Sequence, residues 1–326
     1  MTGPRAFDDL TDRGRVGRLR ALARDALSEY DVACVRVSYV ARAFNTVFRV
    51  DGADGSVYAL RVSPQLRIHA EGCEAVEAAW GAALRRDTGL AVPLVIPTGI
   101  GASSANVARP GVPGVRTCVL FEWVGGRPLR RCMRVPLVHR VGALTAVVHE
   151  HGASYSHDPP AGVLTADRVL YFRVPDRLDE LTARYGSVIR EAVDRAQGAL
   201  DALWRDPPHR PHLLHGDVQP GNVMVDRREV VLIDFQDLIW GLEIQDALFA
   251  LCALEHFDDA PALVDAFRSG YESVRPWPDA DAETTAALRA ARHLNVLNFG
   301  LSVRKADLDP FIARHADPVV GWMGAG

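Results

Sequence analysis

Two short apolar segments, each next to an acidic residue, constrain this chain more than any other feature. LLHGDVQPGNVMVD (213–226) runs from an apolar segment through a polar loop into a strand, and VVLIDF (230–235) is a second strand. Asp217 lies in the loop, Asn222 begins the first strand and Asp234 ends the second. If the two strands pair as a hairpin, Asn222 and Asp234 lie at the same end and face one pocket.

These three residues have the chemistry to bind a metal ion and to activate a hydroxyl. Carboxylate and amide oxygens are hard ligands of the kind that bind Mg²⁺, so Asn222 and Asp234 are candidate metal ligands. Asp217, which the metal does not require, can accept a proton from an incoming hydroxyl or orient it. Phosphoryl transfer needs a metal that neutralises phosphate charge and a carboxylate that positions the nucleophile. The spacing therefore indicates Mg²⁺-dependent phosphoryl transfer to a hydroxyl.

Composition excludes several other classes of protein. A chain of 326 residues favours one large domain or two lobes. The net charge of −4 gives no general attraction to nucleic acid or to anionic lipid. No stretch approaches the roughly 18 apolar residues of a membrane span, and the amino terminus lacks the apolar segment of a signal peptide. The five cysteines form no CxxC pair. We expect a cytoplasmic protein without nucleic-acid or membrane partners.

The pattern of elements changes along the chain. Before residue 125 the sequence predicts helices at 15–30 and 70–87, and strands in VACVRVSYV, TVFRVDG, VYALRVS, LVIPT and TCVLFEWV. This part is expected to be a small mixed sheet carrying one principal helix. GGRPL (125–129) suits a connector between lobes. After it the pattern is mainly helical, at 136–150, 176–204, 245–255, 260–273 and 281–298.

The motif HGDxxxxN followed by IDFxD resembles the aminoglycoside phosphotransferase and choline kinase type family. VYALRV, EAAW, VLFEWVGGRPL and IQDAL occur in the family's order, so the resemblance covers roughly residues 36–255. It implies an α+β, two-lobed, protein-kinase-like fold. Residues 1–124 would form a nucleotide-binding N-lobe with a small antiparallel sheet. Residues 125–326 would form a larger, mainly helical C-lobe with the catalytic loop and substrate-binding helices.

The resemblance also implies roles for individual residues. Asp217 matches the catalytic aspartate, and Asn222 and Asp234 match the magnesium ligands. Arg61 stands where the family usually has a lysine that grips the nucleotide phosphates, and arginine can hold phosphate oxygens in a bidentate way. Among three helix glutamates, Glu77 best matches the residue that orients this basic group. The resemblance further implies structural duties in the loop and the following helix for His215, Asp237 and Asp246.

Nucleotide binding leaves a weaker signature. VARAFNTVFRV contains no GxGxxG, so backbone amides of the turn around Asn45, between Ala43 and Thr46, would hold the phosphates, as in the family. The Glu122 carbonyl and the Val124 amide would bind the adenine. ATP is the implied nucleotide, with GTP as an alternative.

The acceptor is predicted from composition. Residues 255–283 contain eight acids against two arginines, which resembles the substrate side of enzymes that act on cationic aminoglycosides. The alternative is an ordinary pair of solvated helices. An aminoglycoside or other antibiotic-like hydroxyl compound is therefore the leading acceptor, with a role in antibiotic resistance or self-protection. Homoserine, choline or sugar kinases, a stress-response-type protein kinase and a nucleotide-binding pseudokinase are the alternatives.

A zinc site in HEHGASYSH (149–157) is a competing interpretation of the histidines. Histidines two residues apart on a helix do not share a face, and no HExxH pattern is present. A GxSxG nucleophile elbow is also absent, which weakens the hydrolase alternative.

Overall fold

A computed structural model describes residues 6–207, 210–227, 229–303 and 308–325. The chain divides into two compact units. The first comprises Met1–Arg67, Glu74–Arg86 and Ala91–Gly125, and the second comprises Ile68–Cys73, Asp87–Leu90 and Gly126–Gly326. The assignment of residues 1–124 to nucleotide binding and of 125–326 to catalysis and substrate binding stays a prediction.

The first unit is built around an antiparallel sheet. Its strands follow the order β1-β2-β3-β6-β4, and β5 also pairs with β6. In β2 the side chains alternate between buried and half-buried, as the period of two in a strand requires. The elements up to the connector are α1 (Asp12–Leu27), β1 (Cys34–Arg42), β2 (Thr46–Gly52), β3 (Val57–Val62), α2 (Cys73–Thr88), β4 (Val95–Ile96), β5 (Ala105–Arg109) and β6 (Val112–Glu122).

Two details of this unit differ from the sequence-based expectation. The predicted loop GASSANVARPGVPG contains strand β5, which turns into β6 through Gly111 at φ +84°, a conformation that favours glycine. The unit also carries two 16-residue helices, α1 and α2, where one principal helix was expected. Helix α1 contributes Leu22 and Ala26 to a buried cluster with Phe48 and Leu60 of the sheet, so it is part of the core.

The second unit is mainly helical and holds two small sheets. In one the order is β11-β10-β7, all antiparallel; in the other β12 lies between β8, which is parallel to it, and β9, which is antiparallel. None of the helices in the described ranges is long and apolar enough to cross a membrane. The elements are β7 (Arg127–Pro128), α3 (Val135–Tyr155), β8 (Leu164–Thr165), α4 (Thr182–Tyr185), α5 (Val188–Arg205), β9 (His212–Leu214), β10 (Val223–Asp226), β11 (Glu229–Leu232), β12 (Ile239–Gly241), α6 (Glu243–Leu254), α7 (Ala260–Glu272), α8 (Ala282–Val303) and α9 (Leu308–Gly324).

The helix predicted over 176–204 is interrupted. A 3₁₀ turn and the short helix α4 precede α5, and α4 ends at Gly186, whose φ of +62° permits the reversal that stops a helix. Helix α9 was not predicted, and it contains Pro318. Helices α5, α8 and α9 share one buried cluster that includes Ala196, Leu294 and Val319. Helix α8 therefore packs against both α5 and α9.

Helices α3 and α7 approach each other through glycines. A Cβ atom on Gly142 would lie 2.0 Å from the carbonyl oxygen of Phe267, and one on Gly270 would lie 1.8 Å from that of His139. Both distances are far below van der Waals contact, so the two backbones touch. This close approach brings His149 of α3 to Tyr271 of α7.

Candidate active site

The hairpin of β10 and β11 brings two predicted metal ligands to one end. Val223 pairs with Leu232, and the Ile233 amide donates to the Asn222 carbonyl at 2.9 Å. Asn222 and Asp234 therefore both lie at the open end of the hairpin. Asp234 has φ 65° and ψ 61°, a left-handed conformation that costs a non-glycine residue about 1–2 kcal/mol. Such strain is typical of functional positions.

Asp217 is surrounded by hydrogen-bond donors. Its Oδ2 accepts from Gln219 Nε2 at 2.8 Å and from Asn222 Nδ2 at 2.7 Å. Its Oδ1 accepts from Arg292 Nη2 at 2.7 Å. The carboxylate is therefore fixed in orientation from both of its oxygens, as a group that positions a substrate hydroxyl needs to be.

Arg292 joins this site from helix α8. Its guanidinium also donates from Nη1 to the Tyr171 hydroxyl at 3.3 Å and lies 4.5 Å from the ring centroid of Phe249. The side chains of Arg292 and Asp217 are each 13% exposed. A largely desolvated ion pair of this kind is strongly directional, and it places a fixed positive charge next to the predicted catalytic acid.

Burial and neighbouring charges shift the pKa values of three groups at this site. Burial raises the pKa of Asp217 above the usual carboxyl range, and the charge of Arg292 opposes that rise. Burial raises the pKa of Tyr171 to about 12, so its hydroxyl stays protonated. Burial alone would raise the pKa of Asp237, but a hydrogen bond to His69 and the charges of His69 and Arg292 outweigh it and hold that pKa low.

The loop before Asp217 is anchored by two side chains. His215 accepts from the Asp217 amide through Nδ1 at 3.2 Å, and its Nε2 faces the Ile233 carbonyl at 3.2 Å, so Nε2 carries the proton. The Gly216 amide donates to Asp246 Oδ1 at 3.1 Å. Gly216 has φ +78°, and a Cβ there would lie 2.0 Å from the Asp237 carbonyl oxygen. The loop can follow this path only with glycine at position 216.

Behind the loop lies a buried polar chain. The second oxygen of Asp246 faces His149 Nε2 at 3.2 Å, and His149 Nδ1 faces the Tyr271 hydroxyl at 2.9 Å. His149, His151 and His157 are the histidines of the competing zinc interpretation. His149 is instead hydrogen-bonded in this chain, and His151 is paired with Asp87 at 3.2 Å. The described part of the chain contains no group of three or more His, Cys, Asp or Glu side chains placed to hold a metal ion.

In the first unit, Arg61 of β3 and Glu77 of α2 form a buried pair. Nη1 donates to Oε1 at 2.9 Å and Nη2 to Oε2 at 2.5 Å, and the two side chains are 6% and 2% exposed. The guanidinium also lies 4.9 Å from the ring centroid of Phe121. Among the three glutamates considered from the sequence, Glu77 is the one that makes this bidentate contact.

The other predicted nucleotide contacts lie at the ends of strands of the same sheet. Asn45 is in the turn between β1 and β2, where its carbonyl accepts from the Ala43 amide at 3.0 Å. The Glu122 amide donates to the Leu94 carbonyl at 2.9 Å, and the Glu122 side chain accepts from the Leu94 amide at 3.3 Å. Val124 follows the end of β6 and is half-buried.

The donor set at the hairpin end fits a magnesium ion. Because Asn222 Nδ2 donates to Asp217, the amide oxygen Oδ1 is directed away from Asp217 as an acceptor. Together with the Asp234 carboxylate it would supply hard oxygen ligands of the kind that Mg²⁺ prefers.

Sequence reasoning missed four side chains of this region. Gln219 lies inside the motif itself, and its position two residues after Asp217 could have drawn attention to it. Arg292, Tyr171 and His69 come from distant segments and carry no local signature. These three residues meet the loop of Asp217, and Asp237, only in the folded chain.

Comparisons with known proteins identify the family and the fold of this chain. The model of the phosphotransferase enzyme family matches residues 40–287. No curated protein sequence matches the chain. A microcompartment-associated aminopropanol kinase has a similar structure, with a TM-score of 0.72 and 23% identity over 93% of this chain and 95% of that one.

Two further solved structures share the fold. An amicoumacin kinase in complex with AMP-PNP, Ca²⁺ and Ami has a TM-score of 0.68 and 18% identity over 97% of this chain and 94% of that one. A spectinomycin phosphotransferase in complex with ADP and spectinomycin has a TM-score of 0.58 and 13% identity over 95% and 97%. The predicted protein-kinase-like fold is confirmed by these likenesses. The chain belongs to the phosphotransferase enzyme family, and its reaction is the transfer of a phosphoryl group to a hydroxyl.

Proposed function

We propose that this protein is an ATP- and Mg²⁺-dependent kinase that phosphorylates a hydroxyl of a small molecule. The observation that carries the proposal is the joint placement of Asp217, Asn222 and Asp234 at the loop and hairpin end. Asp217 is the catalytic residue, and Asn222 and Asp234 are the metal ligands. GTP is the alternative nucleotide, and the protein acts in the cytoplasm.

The chain's own residues perform three tasks in this mechanism. Asp217 accepts a hydrogen bond from the acceptor hydroxyl and takes its proton as the oxygen forms a bond to the γ-phosphorus. The bond between that phosphorus and the β,γ-bridging oxygen breaks, and ADP leaves. Asn222 and Asp234 would hold Mg²⁺, and the bound ion would neutralise charge on the phosphates. Because Gln219, Asn222 and Arg292 fix the Asp217 carboxylate, little reorganisation is needed when the hydroxyl arrives.

We assign nucleotide binding to the residues predicted in the first unit. Arg61, oriented by Glu77, supplies positive charge to the phosphates. Backbone groups around Asn45 contact the phosphates, and the Glu122 carbonyl and Val124 amide bind the base.

The acidic segment at 255–283 is the reason to consider a cationic acceptor, so the contacts of its carboxylates bear on the acceptor class. Three of its acids are paired with arginines and a fourth caps helix α8, so half of the eight carboxylates already serve the fold. An antibiotic-like acceptor, with a role in resistance, is one candidate, and a metabolite alcohol such as homoserine, choline or a sugar is the other. The four engaged contacts are Glu255 with Arg289, Glu272 with Arg268, Glu283 with Arg195, and Asp281 with Thr284.

A screen for ATP consumption tests the proposal. The purified protein is offered ATP and Mg²⁺ with aminoglycosides, macrolides, nucleoside and peptide antibiotics and common metabolite alcohols, and products are identified by mass spectrometry. We expect a phosphate ester with at least one compound, and a loss of about a hundredfold or more in Asp217→Ala, with ATP binding retained. Near-normal transfer in Asp217→Ala would refute the assignment.

Two outcomes would point to other functions. Transfer of labelled phosphate into protein, without small-molecule turnover, would favour a protein kinase. Binding of ATP without turnover on any acceptor, unchanged in Asp217→Ala, would favour a pseudokinase that acts as an interaction module.

A further inference from the structure

The hydrogen bonds of Asp217 indicate where an acceptor hydroxyl can bind. An ionised carboxylate offers about four lone-pair positions. Among the described residues, Gln219 and Asn222 donate to Oδ2, and Arg292 donates to Oδ1. The remaining position is therefore on Oδ1. A hydroxyl that donates to Asp217 shares this oxygen with Arg292.

This sharing places the guanidinium beside the acceptor. Two donors to one oxygen lie within about 5.5 Å of each other, the sum of two hydrogen-bond lengths. A substituent on the carbon next to the reacting hydroxyl, or one carbon further, is then within reach of Arg292. The guanidinium has five N–H groups, of which those to Asp217 and Tyr171 are used within the described ranges. The others can bind a substituent of the acceptor.

The position of Arg292 is fixed before any acceptor binds. Tyr171 and Phe249 contact the guanidinium on two further sides, and helix α8 packs against α5 and α9. A preorganised and largely desolvated cation attracts an anion and repels an ammonium group. Its bond geometry matches a carboxylate or a phosphate in particular.

We propose that the preferred acceptor carries an anionic group, a carboxylate or a phosphate, close to the phosphorylated hydroxyl, and that Arg292 selects it. The inference rests on the proposed function, because it takes Asp217 as the residue that receives the hydroxyl. It also disfavours acceptors that carry an ammonium group next to the reacting hydroxyl.

Four probes that share one carbon framework test the proposal. Glycerol, glycerate, glycerol 3-phosphate and 3-amino-1,2-propanediol differ in the charge next to their hydroxyls. With ATP and Mg²⁺, we expect kcat/KM for glycerate or glycerol 3-phosphate to exceed that for glycerol by at least about tenfold, with the aminodiol below glycerol. The first two arms distinguish carboxylate from phosphate. Preference for the aminodiol, equal turnover of all four probes, or no turnover of either anion would overturn the proposal.

Variants on helix α8 assign the selectivity to one side chain. Arg292→Gln should reduce the ratio of kcat/KM between the better anion and the aminodiol to within about threefold, whatever its effect on overall rate. Arg292→Lys keeps the positive charge but loses the planar guanidinium that binds anions in a bidentate way. It should keep part of the ratio of kcat/KM between the anion and the aminodiol. The matched control is Arg289→Gln, one turn earlier, where Arg289 pairs with Glu255 instead of Asp217. It should keep the wild-type ratio.

The outcomes separate this inference from the proposed function. The wild-type comparison needs no variant, so it stands even if Arg292→Gln does not fold. An unchanged ratio in a folded Arg292→Gln protein would show that another group selects the acceptor. If neutral or amine-bearing alcohols are phosphorylated in an Asp217-dependent way and the anions are not, only the inference fails. If no hydroxyl compound in the wider screen is phosphorylated, the proposed function fails.

Discussion

Removing the Asp246 carboxylate should destabilise the second unit and loosen the loop that carries Asp217. The carboxylate accepts from the Gly216 amide and from His149 Nε2, and the side chains of Asp246 and His149 are fully buried. In Asp246→Ala both donors lose their acceptor, at about 1–3 kcal/mol each. A central total of about 4 kcal/mol corresponds to a fall in Tm of roughly 8–16 °C.

A milder substitution separates hydrogen bonding from charge. In Asp246→Asn the side-chain oxygen still accepts from the Gly216 amide. The asparagine Nδ2 can donate to His149 if the imidazole proton moves to Nδ1, where the Tyr271 hydroxyl then accepts it. The hydrogen bonds are kept but are no longer charge-assisted, so we expect a loss of about 1–2 kcal/mol.

Thermal and urea-induced unfolding at pH 7 measure this series, with circular dichroism as the readout. The expected order of stability is wild type, then Asp246→Asn, then Asp246→Ala. A loss below about 1 kcal/mol in Asp246→Ala, or equal losses in the two variants, would refute the account of Asp246 as a hydrogen-bonded anchor.

Three further predictions concern Glu77, the glycines of helices α5 and α7, and the titration of Asp246. Glu77→Ala leaves Arg61 buried without its bidentate partner and should cost about 3–5 kcal/mol, measured by unfolding, and should weaken ATP binding, measured by calorimetry. Gly270→Ala should destabilise the protein by more than about 2 kcal/mol because its Cβ would strike a carbonyl oxygen, whereas Gly198→Ala, with open space around it on helix α5, should stabilise it by about 0.5–1 kcal/mol. Since the pKa of Asp246 is lowered in the fold, its stabilisation is present above the unfolded value of about 3.9 and is lost as pH falls below it. The difference in unfolding free energy between wild type and Asp246→Asn should therefore shrink as pH falls below about 4.

The sequence predicted the fold class because its strongest signals are local. Strand alternation and the helical periods each depend on neighbouring residues, and the strands of the first unit and the mainly helical second unit agree with them. The sheet is antiparallel instead of mixed. The errors also have local causes. A glycine at positive φ divides the helix predicted over 176–204, and strand β5 lies within a segment rich in glycine and proline.

The candidate site was predictable only where it is continuous in sequence. Asp217, Asn222 and Asp234 fall within 18 residues, and hairpin pairing alone brings the last two to one end. Arg292 reaches Asp217 from 75 positions away, and Tyr171 approaches from the opposite direction along the chain. No periodicity or motif links such segments, because their meeting depends on how α5, α8 and α9 pack.

The distance in sequence between Asp217 and Arg292 affects the order in which the site forms during synthesis. A growing chain that has just completed β11 already contains the whole loop and the hairpin, but helix α8 has not yet been made. The Asp217 carboxylate then lacks the guanidinium that donates to its Oδ1. Domains fold as units while they emerge, so this carboxylate acquires its full set of donors only when the carboxy-terminal helices dock. Translation that stops before α8 would thus release a protein with every motif residue and an incomplete transfer site.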